Sequence, residues 1–157
     1  YINLSDNIAE GNSLFMAEVK RAQDQLKVVT SLAKDEFSFT IMDEIFSGTN
    51  PKEGEAAAYS IAHHMGTFKN SFNIIATHFP RMTLLEERAK EERFANFKVL
   101  VDRNHETNKL EYPFKIVAGK TNQTIAIDLL EQEGIHKDIL NEARDIIQSP
   151  ENYPADF

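Results

Sequence analysis

The sequence predicts an α/β chain: a mostly parallel sheet with flanking helices, followed by a carboxyl-terminal helical hairpin. Three observations carry this. Helical and strand periodicities alternate as helix, strand, helix, strand, helix, the order of parallel strands joined by crossovers. The two central strand candidates, 37–42 and 72–76, are separated by a segment with strong helix-start signals. Gly134 and Pro150 then punctuate two further helical patterns near the end.

Each element has its own warrant. In 13–33, Phe15, Val19, Ala22, Leu26 and Val29 recur at spacings of four and three, which is one helical face. Ser13 or Asn12 can cap its start, and Gly11 lets the preceding loop turn sharply. "FSFTIM" (37–42) alternates Phe37, Phe39 and Ile41 with smaller or polar residues and reads as a core strand. Asn50 is a good N-cap, Pro51 suits the first helical position and Glu53 can close a capping box; Ala57, Ile61, His64 and Phe68 then share a face. "FNIIA" (72–76) reads as a second buried strand. Thr83 and Glu86 have capping-box spacing before the charged helix "LLEERAKEERF". "FKVLVD" (97–102) and "LEYPFKI" (110–116) read as strands joined by a polar loop, with Pro113 placing the second near a sheet edge. The last two helices span roughly 122–133 and 136–148, the second with Ile139, Ala143 and Ile146 on one face.

Composition narrows the function classes. A length of 157 residues suits one domain with a sizeable core. The formal net charge of -8 suits a stand-alone nucleic-acid binder poorly, because phosphate contacts need clustered Lys and Arg. DNA, if engaged, is engaged through other domains of a larger protein. The chain has no cysteine, hence no disulfide framework, thiolate zinc site or cysteine nucleophile, which fits a reducing interior. No apolar run is long enough to span a membrane. The opening "YINLSDNIAEGN" carries no leader and reads as continuing from something longer.

Ligands of open α/β sheets sit at the carboxyl ends of the strands. Asp43 and Glu44 stand at one such end, Thr77 and His78 at the other. A carboxylate there can hold Mg2+, and a second one free of metal duty can orient and polarise a water for phosphoryl transfer. Two solvated loop acids are the plainer alternative. His78 can reach a terminal phosphate or the attacking water, or be structural. His63 and His64 are adjacent on a helix, point in different directions and make a poor metal pair. Ser13 offers a hydroxyl beside free backbone N–H groups, either an anion site or an ordinary cap. "AGKT" (118–121) ends like the phosphate-binding loop G-x-x-x-x-G-K-[ST], but Phe114 stands where its first glycine is required, and we reject it.

In order and spacing, "SDNIAEGNSLFMAEV" (5–19), "MDEIFSGTN" (42–50), "IIATHF" (74–79) and "GKTNQTIAIDLLEQEGI" (119–135) resemble the carboxyl-terminal half of the MutS-type ATPase domain, from the DNA mismatch-repair family. The resemblance reaches to about residue 148. It implies a partial ABC-type P-loop ATPase fold, with residues 1–121 carrying the signature, Walker B and switch-histidine parts. It also implies a helix-turn-helix dimerisation tail over 122–149, and 150–157 follow as a flexible tail. Asp43 matches the Walker B aspartate that supports Mg2+. Glu44 matches the neighbouring glutamate that activates water. Gly48 and Thr49 match the loop near the subunit interface. His78 matches the histidine near the γ-phosphate. Ser13 matches the signature serine that reaches the partner's nucleotide.

Two positions depart from the family pattern. Phe46-Ser47-Gly48-Thr49 stands where Gly-Arg-Gly-Thr is usual, and Leu14 follows the signature serine where Thr is usual. These departures point to a divergent MutS-like paralogue. The Walker A loop, which lies upstream in the family, is expected on a missing half. The intact parent would then be a homodimeric ATPase using ATP and Mg2+, cytoplasmic or DNA-associated, and the fragment alone would be inactive. A metal-dependent phosphohydrolase using Asp43, Glu44 and His78, and a non-catalytic dimerisation module over 122–148, are the alternatives.

Overall fold

The computed structural model describes residues 14–88, 93–104, 107, 109–121 and 125–152. The expected cap residues Gly11, Asn12 and Ser13 lie outside the described residues. So do 89–92 and 122–124 of two expected helices, and 153–157. The chain divides into two compact units, Tyr1–Asn96 and Phe97–Phe157.

In the first unit, α1 (Leu14–Ser31) precedes β1 (Ser38–Asp43), α2 (Pro51–Met65) and β2 (Ser71–Ala76). A 3-10 turn (Pro80–Thr83) then runs into the short α3 (Leu84–Arg88). The two strands pair in parallel, from Ser38 opposite Ser71 to Asp43 opposite Ala76. Parallel neighbours need a crossover, which α2 supplies. It starts where expected: the Asn50 side chain accepts from the Lys52 N–H at 3.0 Å, and Pro51 holds the first turn.

Which faces are buried differs from expectation. On β1 the buried side chains are Ser38, Thr40 and Met42, while Phe39 and Ile41 are exposed; Phe37, Phe72 and Ile74 are exposed too. Gln25 of α1 accounts for the polar half of this, because its amide donates to Thr40 Oγ1 at 2.6 Å and to Ser38 Oγ at 3.3 Å. Buried hydroxyls with a partner cost little. The outward rings of Phe39 and Phe72 stack on each other across the strands, with centroids 5.7 Å apart. On α2 the core face is Gly54, Ala58, Ala62 and Met65, one position round from the expected stripe, and His64 is exposed. Small residues win this face because they admit close backbone approach. The core joins them to Ala22, Met42, Ile45, Phe46, Phe79, Met82 and Leu85.

The expected capping box of Thr83 and Glu86 is replaced by other contacts. Thr83 donates to the Pro80 carbonyl at 2.8 Å, and Glu86 accepts from Asn96 at 2.7 Å. Glu55 of α2 anchors this region, accepting from the Arg81 N–H at 2.8 Å.

The second unit begins with a broken antiparallel hairpin. β3 (Phe97–Val99) pairs with β6 (Ile116–Ala118), and β4 (Asp102–Arg103) pairs with β5 (Leu110–Glu111). These strands therefore do not extend a parallel sheet. Two helices follow, α4 (Ala126–Gln132) and α5 (Lys137–Gln148). Gly134, at φ +83°, ends α4 as expected: its N–H reaches Glu131 O and the Ile135 N–H reaches Leu130 O, both at 3.1 Å. On α5 the buried residue is Leu140; Ile139 and Ile146 of the expected face are exposed, as are Leu129, Leu130, Ile135 and Ile147. With Leu140 buried, its neighbour Ile139 points to a different side of α5.

Candidate functional site

The register of β1 and β2 builds the site. Asp43 and Ala76 end their strands side by side, and the ladder runs one step further as the Glu44 N–H donates to Ala76 O at 2.9 Å. Glu44, one residue beyond, and His78, two beyond, are thereby delivered to the same end of the pair. His78 Nδ1 lies 2.5 Å from Glu44 Oε2. A carboxylate only accepts, so in this arrangement the imidazole carries its proton on Nδ1 and leaves Nε2 free for a substrate or water. Both side chains remain partly open to solvent.

Each is held by its neighbours. Phe79 is buried directly after His78, their rings are 5.1 Å apart, and the Phe79 N–H donates to Thr77 Oγ1 at 3.1 Å. On the other side, Glu44 and Phe46 adopt left-handed backbone conformations, with φ of +49° and +60°. Such conformations are strained for residues with a Cβ. The Ser47 N–H closes the turn onto Glu44 O at 3.3 Å. Ile45 and Phe46 are both buried and pin it.

Two residues that sequence reasoning passed over support this turn. Gly54 of α2 sits so close that a Cβ there would lie 2.3 Å from the Phe46 carbonyl oxygen and 3.3 Å from Thr49 Cγ2. Glu18 of α1 is buried, at 4% exposure, and accepts from the Gly48 N–H at 3.4 Å. Burial pushes its carboxyl above the ordinary range, while the backbone N–H groups of Gly48, Ser47 and Phe46 and the Ser47 hydroxyl pull it partly back. The available signal was a lone acid inside the apolar stripe that contains Phe15, Val19 and Ala22.

Asp43 is exposed at the strand end, and Thr49 is half-buried beside α2. Ser13 lies outside the described residues. His63 and His64 take separate aromatic contacts: His63 lies between Tyr59 and Phe94, and His64 meets the edge of Phe68. Among the described residues, no group of three His, Asp or Glu side chains is gathered to hold a metal. Asp43 offers one hard carboxylate, which fits Mg2+ when phosphate oxygens and waters supply the other ligands. Phe114, at the position that ruled out a phosphate-binding loop, is itself left-handed (φ +53°) between β5 and β6.

The profile of the family described as MutS domain V matches residues 1–151. Among curated proteins, the DNA mismatch repair protein MutS of Alkaliphilus metalliredigens is 29% identical over 150 residues, covering 96% of this chain and 16% of that protein. MutS of Clostridium botulinum strain Loch Maree is 30% identical over 149 residues, covering 94% and 15%. MutS of Chlorobium phaeovibrioides is 28% identical over 156 residues, covering 99% and 17%. The chain thus spans about a sixth of the length of these relatives. No helix among the described residues is long and apolar enough to cross a membrane.

Proposed function

Since the chain belongs to the MutS domain V family, we propose that it is part of a MutS-related DNA-repair ATPase. In the intact parent it would couple ATP binding and hydrolysis to conformational change on DNA. The observation that carries this reading is the pairing of Glu44 with His78 beside Asp43, at the carboxyl end of two parallel strands. In the proposed mechanism Glu44 orients and polarises the attacking water. His78 fixes the Glu44 carboxylate through Nδ1 and presents Nε2 toward the γ-phosphate. Asp43 supports Mg2+, with Thr49 at the edge of the same site. Mg2+, when bound, neutralises charge on the phosphate oxygens. Ser13 is assigned to the nucleotide of a second subunit.

We place the phosphate-holding Walker A loop on a segment of the parent outside these 157 residues. Support comes from the outward apolar face of β1 and β2, where Phe39, Ile41, Phe72 and Ile74 suit a further layer of a larger P-loop domain. DNA contact is assigned to other domains, consistent with the net charge of -8.

Calorimetry tests the assignment. The full-length parent binds Mg-ATP, and the 157-residue chain alone shows no micromolar binding, because most phosphate contacts come from the separate loop. Micromolar ATP binding by the short chain, or none by the parent, overturns the reading. Nucleotide-independent Mn2+ binding by the short chain would instead favour the metal-dependent phosphohydrolase.

We also propose homodimerisation through the final helices. Leu129, Ile139, Ile146 and Ile147 are exposed there, more apolar surface than a solvated hairpin carries. Weak, concentration-dependent self-association is expected in sedimentation. It is lost without residues 122–157, with circular dichroism confirming that the remainder stays folded. A strict monomer at high concentration would remove the tail from the dimer.

A further inference from the structure

We propose that Glu18 is a positioning residue for the Glu44 turn, acting as one arm of a two-point brace from α1. The proposal rests on the assignment of Glu44 to water activation.

Glu18 is a buried acid that the proposed mechanism does not use. Isolated carboxylates are costly to bury, so a retained one needs partners. Its partners here lie on one short segment: the Gly48 N–H at 3.4 Å, with the backbone of Phe46 and Ser47 and the Ser47 hydroxyl also contributing. One turn earlier on the same helix, the Phe15 ring meets the Phe46 ring edge-on with centroids 6.0 Å apart. The two contacts differ in kind. Phe15 holds a side chain, and Glu18 holds backbone donors.

The braced segment is strained. Glu44 and Phe46 are both left-handed, and such a conformation persists only where the surroundings over-determine it. Relaxing Phe46 toward an ordinary φ would rotate the peptides on either side and carry the Glu44 side chain off His78. Without an acceptor at position 18, the Gly48 N–H would seek water, and the turn that the Ser47 N–H closes onto Glu44 O would loosen.

Three variants of the full-length parent test this. Glu18→Met keeps the length and loses the acceptor. Glu18→Asp keeps the charge and withdraws it by one methylene. Glu18→Gln keeps an acceptor oxygen without the charge. Glu18→Met is expected to lower kcat by about 30-fold with the KM for ATP within about threefold, because a misplaced Glu44 affects chemistry and not binding. Glu18→Asp lowers kcat by about fivefold, and Glu18→Gln restores it to within about threefold of the unsubstituted protein. Hydrogen exchange at the 46–48 amides is about tenfold faster in Glu18→Met and near normal in Glu18→Gln.

Unchanged exchange in Glu18→Met overturns the brace, and so does a Glu18→Gln variant as impaired as Glu18→Met. If Glu18→Met fails to fold, Glu18→Asp decides by the same two readouts. Faster loop exchange with unchanged kcat keeps the brace but overturns its role in positioning. Failure of the ATPase reading itself shows separately, as absent turnover in the unsubstituted parent.

Discussion

Glu44→Gln in the full-length parent is expected to lower ATP turnover by about 100-fold or more while leaving Mg-ATP binding within about threefold. The substitution preserves shape. The amide oxygen can still accept from His78 Nδ1, so the pairing at the strand ends survives. What is lost is the negative charge that the proposed mechanism uses to polarise water, an interaction that matters chiefly in the transition state. Binding is spared because the proposed function places the phosphate contacts on a separate loop. Single-turnover hydrolysis beside equilibrium nucleotide binding separates the two effects. Turnover at the original rate would remove Glu44 from the mechanism and return Asp43 and Glu44 to solvated loop acids.

Gly54→Ala is expected to destabilise the chain by about 2 kcal/mol, although alanine is the better helix former by about 1 kcal/mol. The added methyl would sit 2.3 Å from the Phe46 carbonyl oxygen, and that oxygen is backbone. It cannot rotate away, so α2 or the turn must move. Because Phe46 is two residues from Glu44, turnover in the parent should also fall, by about tenfold. Gly66→Ala is the control. There the methyl would meet the tip of the Phe94 ring at 2.2 Å, and a ring tip can swing aside. Its expected cost is below about 1 kcal/mol. Urea denaturation of both variants orders them; equal costs would mean the α2–Phe46 contact is softer than its geometry implies.

The strand ends were legible in the sequence because apolar runs stop where Asp43 and Thr77 begin, and parallel pairing then brings Glu44 and His78 together. The inward faces were less legible. A period of two separates the faces of β1 without saying which one the helices cover, and Gln25 makes the Ser38–Thr40 face buriable from thirteen residues upstream. On α2, hydrophobicity favoured Ile61 and Phe68, whereas the packing contact runs along Gly54, Ala58 and Ala62. Closeness of approach, set by small size, decided it. Glu18 was hidden for a similar reason: its partners are backbone N–H groups, which every residue but proline carries, so no side-chain pattern announces them.

Phe46 also has a consequence for how such a chain can change over time. Its left-handed backbone costs on the order of 1–3 kcal/mol. Burial of the ring returns about 1.5–3 kcal/mol, and the edge contact with Phe15 about 0.5–1.5 kcal/mol more. The aromatic is therefore favoured most while Phe15 faces it, whereas the need for a bare position 54 comes from the carbonyl of residue 46 and holds whatever side chain stands there. Phe15→Ala loses the ring-edge contact of about 0.5–1.5 kcal/mol against phenylalanine at 46 and has no such contact to lose against glycine. Positions 15 and 46 are thus epistatically coupled, and a lineage that moves from glycine to phenylalanine at 46 gains most where an aromatic already stands at 15.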